Sequence, residues 1–347
     1  MEFLLGLLII SFLVHGLLFV PYINLLYRLK FQRKQQKTKD AFGLLTPIFD
    51  RFHQKKAGVP VGGGLLIIVI TLIMYGLSFL LLHYIQEWFP FTSLYPSMQD
   101  EIKILLFTFT AFALIGLYDD IKKTFVLNTS EFFGLRLRHK MILELVLAMC
   151  ISYWLYSLLE IRIVHVPLIG VFDIGVLYIP FAAFVILSFA NAFNISDGLD
   201  GLSAGLFMIA LCAFWVISAG LLDTPLAVFI GILIGALIAF LYFNVYPARI
   251  ILGDVGALAF GATFAVIGLI LGKAFALVLI GGLFVIEALS SLLQLLWKRF
   301  YHKKLFPVAP LHLYFQYIGW EEPKIVMRFW LAAIMFAVFG LWVSYLN

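Results

Sequence analysis

Apolar residues along the chain gather into ten runs, near 3–26, 61–84, 103–118, 141–159, 175–193, 203–221, 226–244, 256–272, 275–297 and 329–346. A helix crossing the roughly 30 Å hydrocarbon core of a bilayer needs about 20 such residues. The pattern therefore predicts an all-α integral membrane protein of ten transmembrane helices, organised as a single polytopic domain over 1–347. Polar residues are confined to the connections. The longer ones, about 27–60, 119–140, 194–202, 245–255 and 298–328, are expected on one side of the membrane.

Composition agrees with the pattern: 63% of the 347 residues are hydrophobic and 12% are charged. A soluble domain cannot hide that much apolar surface, which excludes the soluble enzyme and binding classes. The N-terminal run carries Glu2 rather than a basic leader and is longer than a signal segment, so it reads as a retained first span. Cys150 and Cys212 both lie within apolar runs, where a buried packing role is expected and no disulfide framework is suggested.

The distribution of the net charge of +5 sets orientation. The loops 27–60, 119–140, 245–255 and 298–328 hold 9, 5, 1 and 6 of the 24 Lys and Arg residues, and only Lys103, Arg162 and Lys273 fall on the other side. By the positive-inside rule all four loops are cytoplasmic and both termini are outside. The basic stretch "RLKFQRKQQKTK" then acts as a topology and anionic-lipid signal. It lacks the interleaved aromatics that stack on bases, so nucleic acid is not expected as a partner.

Five carboxylates, Asp119, Asp120, Asp197, Asp200 and Asp254, come from three separate segments yet map to the cytoplasmic ends of spans. In "LIGLYDDIKK" the adjacent Asp119 and Asp120 repel, so a cation or a proton must accompany them, which suits a base or metal-linked ligands. Taken alone the pair equally suits a solvated helix terminus. "NAFNISDGLDGLSAG" is more specific: on a helix Asp197 and Asp200 share one face, with Asn194 a turn earlier. Carboxylate and amide oxygens are what a hard cation such as Mg²⁺ accepts. Asp254, between two glycines in "LGDVG", gains weight as the fifth acid and a metal ligand. Lys55 and Lys56 are candidate phosphate contacts or ordinary positive-inside residues. His312 lies in the last cytoplasmic loop, and Glu287, Ser290 and Gln294 stand at helical spacing in the ninth run, as functional groups or helix cross-links. Acids for Mg²⁺ and lysines for phosphate at a lipid boundary suit transfer of a phosphate-containing group from a soluble donor to a lipid acceptor. The rival from another class is a transporter, which predicts acids near mid-membrane and broken helices inside spans.

The stretches "KKAGVPVGGG", "GLYDDIKK", "LRLRHKMILEL", "NAFNISDGLDGLSAG", "FLYFNVYPARIILGDVGALAFG", "GGLFVIEALSSLLQ" and "APLHLYFQYIGWEEPKIVMRFW" run in order over nearly the whole chain. Together they resemble the polyprenyl-phosphate N-acetylhexosamine-1-phosphate transferases, and within them the muramoyl-pentapeptide branch that makes lipid I for peptidoglycan. The resemblance implies Mg²⁺, a UDP-activated amino-sugar donor bearing a muramoyl pentapeptide, undecaprenyl phosphate as polyprenyl acceptor, UMP as product, a homodimer and a multi-pass place in the bacterial plasma membrane. A UDP-GlcNAc donor serving another envelope glycan is the runner-up.

Carried over by motif, Asp254 and Asn194 would bind Mg²⁺, Asp119 would be the base on the lipid phosphate, and Asp120 would shape the site. Asp197 and Asp200 would serve the nucleotide and metal region, Asn191 would bind substrate, and Lys56, Lys123 and Lys140 would contact phosphate or nucleotide. His312 would be the catalytic-loop histidine. The chain departs from the family pattern at Val59, Val61 and Gly62, at Ile251 in place of an aromatic, at Ala257 in place of a serine, and at Leu313 and Tyr314 in place of two histidines.

Overall fold

The computed structural model describes residues 2–32, 56, 58–84, 92–125 and 137–346. Lys55 and most of the basic stretch after Arg28 lie outside the described residues. The elements, in order, are α1 (Glu2–Arg28), α2 (Gly63–Tyr84), α3 (Met98–Phe125), α4 (Leu137–Ser157), strands β1 (Ile163–Val166) and β2 (Gly170–Asp173), then α5 (Tyr178–Ser196), α6 (Leu202–Gly220), α7 (Thr224–Asn244) and α8 (Asp254–Ile270). They are followed by α9 (Ala274–Ile280), α10 (Gly282–Tyr301), α11 (Leu311–Tyr317) and α12 (Glu322–Ser344).

Each of the ten apolar runs is helical. Among the described residues eight helices are long and apolar enough to cross a membrane, or nine if the pair α9 and α10 counts as one. That ninth run is not one straight helix: it bends by 79° at Gly281. The 17-residue α8 is a shorter apolar helix. The expectation of a purely helical chain misses one feature, the antiparallel hairpin of β1 and β2, paired from Ile163 with Asp173 to Val166 with Gly170.

Local chemistry sets several ends. α3 starts with Asp100 and Glu101 and finishes with Lys122 and Lys123, matching acids to the positive end of the helix dipole and bases to the negative end. α7 is capped by Asp223, whose carboxylate accepts from the Leu226 amide at 3.1 Å, with Pro225 at the first turn.

α7 and α8 form the centre. Every residue of α8 is buried. α3 runs antiparallel to α8 on one side: Phe109 stacks on Phe260 with centroids 6.0 Å apart, and farther along Gly116 lies against the Asp254 backbone. α5 runs antiparallel on another side, Phe189 meeting Phe264 at 5.3 Å and Phe193 meeting Phe260 at 5.9 Å. α1 is fastened to α7 by the Ser11 hydroxyl, which donates to the Ile232 carbonyl at 2.6 Å. Lipid tails are as apolar as leucine, so interlocking shape and such polar contacts, rather than exclusion of water, hold helices together in a bilayer. The outward faces remain apolar: Leu17 and Leu331 are exposed. Cys150 is half-buried and Cys212 is exposed, so Cys212 corrects the expectation of a buried packing thiol. A periodic apolar run does not distinguish an outward-facing position from a core one.

Candidate active site

The antiparallel packing of α3, α5 and α8 brings the C-terminal ends of α3 and α5 to the N-terminal end of α8. Asp119 and Asp120 sit on the last turns of α3 and Asp254 on the first turn of α8, all buried. Gly116 permits this approach, because a methyl group there would strike the Asp254 carbonyl. Gly253 adopts φ +84°, in the region that favours glycine, and a Cβ at that position would lie 2.6 Å from Asp120 Oδ2. The same Asp120 oxygen accepts from the Val255 amide at 3.0 Å. One of the unsatisfied amides at the α8 N-terminus is thereby capped by a carboxylate from another helix.

Two lysines join the acids. Lys123, one turn after Asp119, places its ammonium 2.9 Å from Asp119 Oδ2 and 2.8 Å from Asp254 Oδ2. Lys140, from the start of α4, lies 2.9 Å from Asp254 Oδ2 and 3.6 Å from Asp119 Oδ2. The two carboxylates therefore face one another across a pair of ammonium groups, and like charges are not left in contact. Three carboxylates against two ammoniums leave a net negative site.

One turn beyond Lys140 on α4, Glu144 is fully buried and accepts from Asn191 Nδ2 of α5 at 2.7 Å. Asn191 thus turns toward α4. Asn194 is half-buried on the next turn of α5. Asp197 caps the turn after α5, with the Ser203 hydroxyl donating to its Oδ1 at 2.5 Å. The register that sets Phe193 against Phe260 carries Asn194 and Asp197 toward the Asp254 end of α8.

The donor chemistry fits a hard dication. Mg²⁺ is typically held by one or two carboxylates, with water and substrate phosphate completing an octahedron, and Asp119 and Asp254 present neighbouring carboxylate oxygens. No group of three acidic, histidine or cysteine side chains that could hold a metal by themselves occurs among the described residues.

Asp200 belongs to a second cluster. Its Oδ1 lies 2.8 Å from the Lys56 ammonium, its Oδ2 accepts from the Ala248 amide at 3.0 Å, and its own amide donates to Glu322 Oε1 at 2.6 Å. Lys56 also reaches Glu322 Oε1 at 2.8 Å and the Gly198 carbonyl at 2.9 Å. This cluster borders a cavity of about 700 Å³ whose lining includes Val59, Tyr246, Ile251, Gln316 and Glu321. The cavity wall is a short stretch of paired backbone, in which the Gly62 and Gly63 amides donate to the Ile251 carbonyl at 3.1 and 2.9 Å. Asp197 and Asp200, one motif in the sequence, thus point to different neighbours.

His312, buried at the start of α11, forms a third group. Its Nδ1 is 2.9 Å from Glu287 Oε2, and its amide donates to Glu287 Oε1 at 3.0 Å. The other ring nitrogen, Nε2, is buried with no hydrogen-bond partner among the described residues and faces Gly198, where a methyl group would collide with it. A carboxylate on Nδ1 favours the proton there and leaves Nε2 as an acceptor aimed at the Asp197–Gly198 turn. Ser290 accepts from the Leu311 amide at 3.1 Å, and the Gln294 carbonyl oxygen accepts from Leu305 and Phe306 at 3.0 and 2.8 Å. The polar row Glu287, Ser290 and Gln294 is therefore the rail that carries the 305–312 loop. Three of the family departures, Val61, Ala257 and Leu313, are buried at 1% exposure.

Sequence reasoning did not single out Glu322, Glu144 or Asn244, whose side chain accepts from the Gly201 amide at 3.0 Å. Glu322 lay in plain view in "GWEEPK", but an acid in the first turn of a helix needs no partner to explain it.

The model of glycosyl transferase family 4 matches residues 102–272, the stretch carrying Asp119, Lys140, Asn194 and Asp254. A phospho-N-acetylmuramoyl-pentapeptide-transferase of Clostridium perfringens is 36% identical over 331 residues, covering 94% of each chain. Proteins of the same name from Borrelia turicatae, 35% identical over 84% of this chain and 83% of the relative, and Oceanobacillus iheyensis, 32% identical over 97% and 96%, are similar along nearly their whole lengths. The broken ninth span is a feature the transporter reading also predicted, but the relatives' shared name is that of a transferase and favours the enzyme. The chain belongs to the phospho-N-acetylmuramoyl-pentapeptide-transferase family and is a phosphoglycosyl transferase.

Proposed function

We propose that the chain transfers phospho-N-acetylmuramoyl-pentapeptide from its UDP-linked donor to undecaprenyl phosphate, giving lipid I and UMP, at the cytoplasmic face of the bacterial plasma membrane. The observation that carries this reading is the cluster of Asp119, Asp254, Lys123 and Lys140, three residues along the chain from Ile251 of the cavity lining at its nearest point, Asp254. Its chemistry is that of phosphate capture, and the relatives named above carry the activity in their names.

Charge divides the site between the two ends of the donor. The cavity is bordered by Asp200, Glu321 and Glu322 against Lys56 alone, so it repels a diphosphate and accepts hydroxyl and N–H groups. It suits the nucleoside. The phosphates belong with Lys123 and Lys140, whose ammonium groups are held side by side by Asp119 and Asp254. Asp254 and Asn194 are the residues proposed to hold Mg²⁺, which when bound supplies positive charge to the diphosphate. Asp119 orients the acceptor phosphate and takes its remaining proton. An acceptor oxygen then attacks the sugar-side phosphorus, and the bond from that phosphorus to the bridging oxygen breaks, its electron pair leaving with UMP. Lys123 and Lys140 offset the charge that develops there.

Asp120 acts through the α8 N-terminus by fixing its first turn. Asp197 and His312 line the approach from the α5–α6 turn, and Asn191 is set by Glu144. Topology with both termini outside and the ten-span count belong to the same reading, supported by the lysine and arginine asymmetry and the ten helical runs, and a homodimer is proposed on the family resemblance alone.

Purified protein with Mg²⁺, undecaprenyl phosphate and either UDP-MurNAc-pentapeptide or UDP-GlcNAc tests the reading. UMP release with the first donor is expected. Release with UDP-GlcNAc alone would assign the chain to the runner-up reaction.

A further inference from the structure

We propose that Glu322 is a positioning residue for the donor cavity, and that Lys56 serves there as the internal counter-ion of Glu322 and Asp200 rather than as a contact for substrate phosphate. The proposal rests on the reading of the cavity as the donor's nucleoside site.

An ammonium group has three N–H bonds. Those of Lys56 meet three protein oxygens, Asp200 Oδ1 at 2.8 Å, Glu322 Oε1 at 2.8 Å and the Gly198 carbonyl at 2.9 Å. Nothing is left over for a ligand without breaking one of these contacts. The side chains of Lys56, Asp200 and Glu322 are 15%, 8% and 10% exposed, so water replaces little of what would be lost. A phosphate drawing Lys56 away would leave two poorly hydrated carboxylates facing one another.

Glu322 is the hub. Its Oε1 accepts at once from Lys56 and from the Asp200 amide, while Asp200 reaches on to the Ala248 amide. Four segments distant in sequence meet here: the stretch before α2, the α5–α6 turn, the α7–α8 loop and the start of α12. α12 is itself pressed onto α6, because the Trp330 ring fills the space over Gly205 and its Nε1 donates to the Gly201 carbonyl at 3.3 Å. One carboxylate of the last long helix therefore sets both the Asp197–Asp200 turn and the wall that carries Ile251.

The test uses full-length protein in detergent with Mg²⁺ and undecaprenyl phosphate, titrating UDP-MurNAc-pentapeptide and reading UMP. Free UMP competing with donor in the wild type checks the cavity reading separately. Intact turnover without such competition would overturn that reading and the proposal with it. With competition present, K56M is expected to raise the donor KM about tenfold while kcat at saturating donor stays within about threefold. E322A, which removes the oxygen shared by Lys56 and the Asp200 amide, is expected to raise the donor KM about tenfold with kcat within about threefold, and an unchanged KM in folded protein would overturn the role given to Glu322. The decisive variant is K56M/E322Q, which removes one charge of each sign: its KM is expected to return most of the way to wild type. A double variant as impaired as K56M or worse, in protein with a wild-type melting temperature, would show that substrate uses the Lys56 charge and would sink the proposal. Should K56M fail to fold, recovery of fold and UMP affinity in K56M/E322Q reads the same coupling, and failure of both overturns it.

Discussion

Two lysine–carboxylate clusters lie at the same end of the bundle, and they differ in how many ammonium groups stand against their acids. At Asp119 and Asp254 two ammonium groups serve two facing carboxylates. Among the described residues the ion pairs of Lys123 and Lys140 go to those two acids, with the Glu144 charge also acting on Lys140, and on the proposed reading these ammonium groups face the substrate phosphates. At Lys56 one ammonium is shared by two carboxylates and a carbonyl, and its donors are used up. Similar residue types thus make a site that binds and a site that braces. Both clusters are net negative, but the Lys56 cluster sets one ammonium group against its acids where the other sets two.

The comparison can be broken first at Asp254. D254A removes a proposed metal ligand and leaves Lys123 and Lys140 without their shared partner. UMP release is expected to fall by a factor of about 10³ or more, in the range seen when a main stabiliser of transition-state charge is lost. Retained Mg²⁺-dependent turnover would remove Asp254 from the chemistry. Next come the lysines of the same cluster. K123M is expected to lower kcat by roughly 10²-fold, about 2.7 kcal/mol of transition-state stabilisation, with no recovery in K123M/D119N. That outcome is the reverse of the one expected for Lys56 and Glu322, and recovery there would make both clusters braces.

A smaller effect is expected behind His312. E287Q keeps the shape of the hydrogen-bonding pair but removes the charge that holds the Nδ1 proton, and it is expected to cost about tenfold in kcat, near 1.4 kcal/mol. An unchanged rate with an unchanged pH profile would make Glu287 a loop anchor only. The smallest change is a gain. Ile251 lines the donor cavity at a position where the family pattern has an aromatic residue, and stacking on a base is worth about 1–3 kcal/mol. I251F is expected to lower the donor KM about fivefold, measured in the same UMP assay, and a higher KM would mean that the ring closes the cavity instead.

Much of this arrangement was legible before any coordinates. Ten apolar runs marked ten helical segments because hydropathy is a local property that lipid imposes residue by residue. The polar row Glu287, Ser290 and Gln294 was visible as helical spacing, and the structure gives it a loop to hold. The break at Gly281 was not visible, since Gly281 and Gly282 inside an apolar run leave its hydropathy intact while freeing the backbone to turn. The hairpin at 163–173 was missed because four-residue strands are too short for their alternation to stand out. The separation of Asp200 from Asp197 was missed for a different reason. Helical spacing put both acids on one face, but α5 ends at Ser196, and beyond that point the spacing no longer fixes direction. Glu322 is a contact between the two ends of the chain, to which no local pattern is sensitive.

The length of α8 has a consequence for where the two substrates meet. Seventeen residues rise about 25 Å at 1.5 Å per residue, which is less than a hydrocarbon core of about 30 Å. A helix facing lipid could not be so short without exposing its ends, but α8 is surrounded by protein along its whole length. Its first turn can therefore stop below the level of the headgroups. Asp254 stands on that turn, so on the proposed topology the polar floor of the site would lie a few ångströms beneath the membrane surface. A water-soluble donor would descend to that depth, and a lipid-borne phosphate would already be close to it.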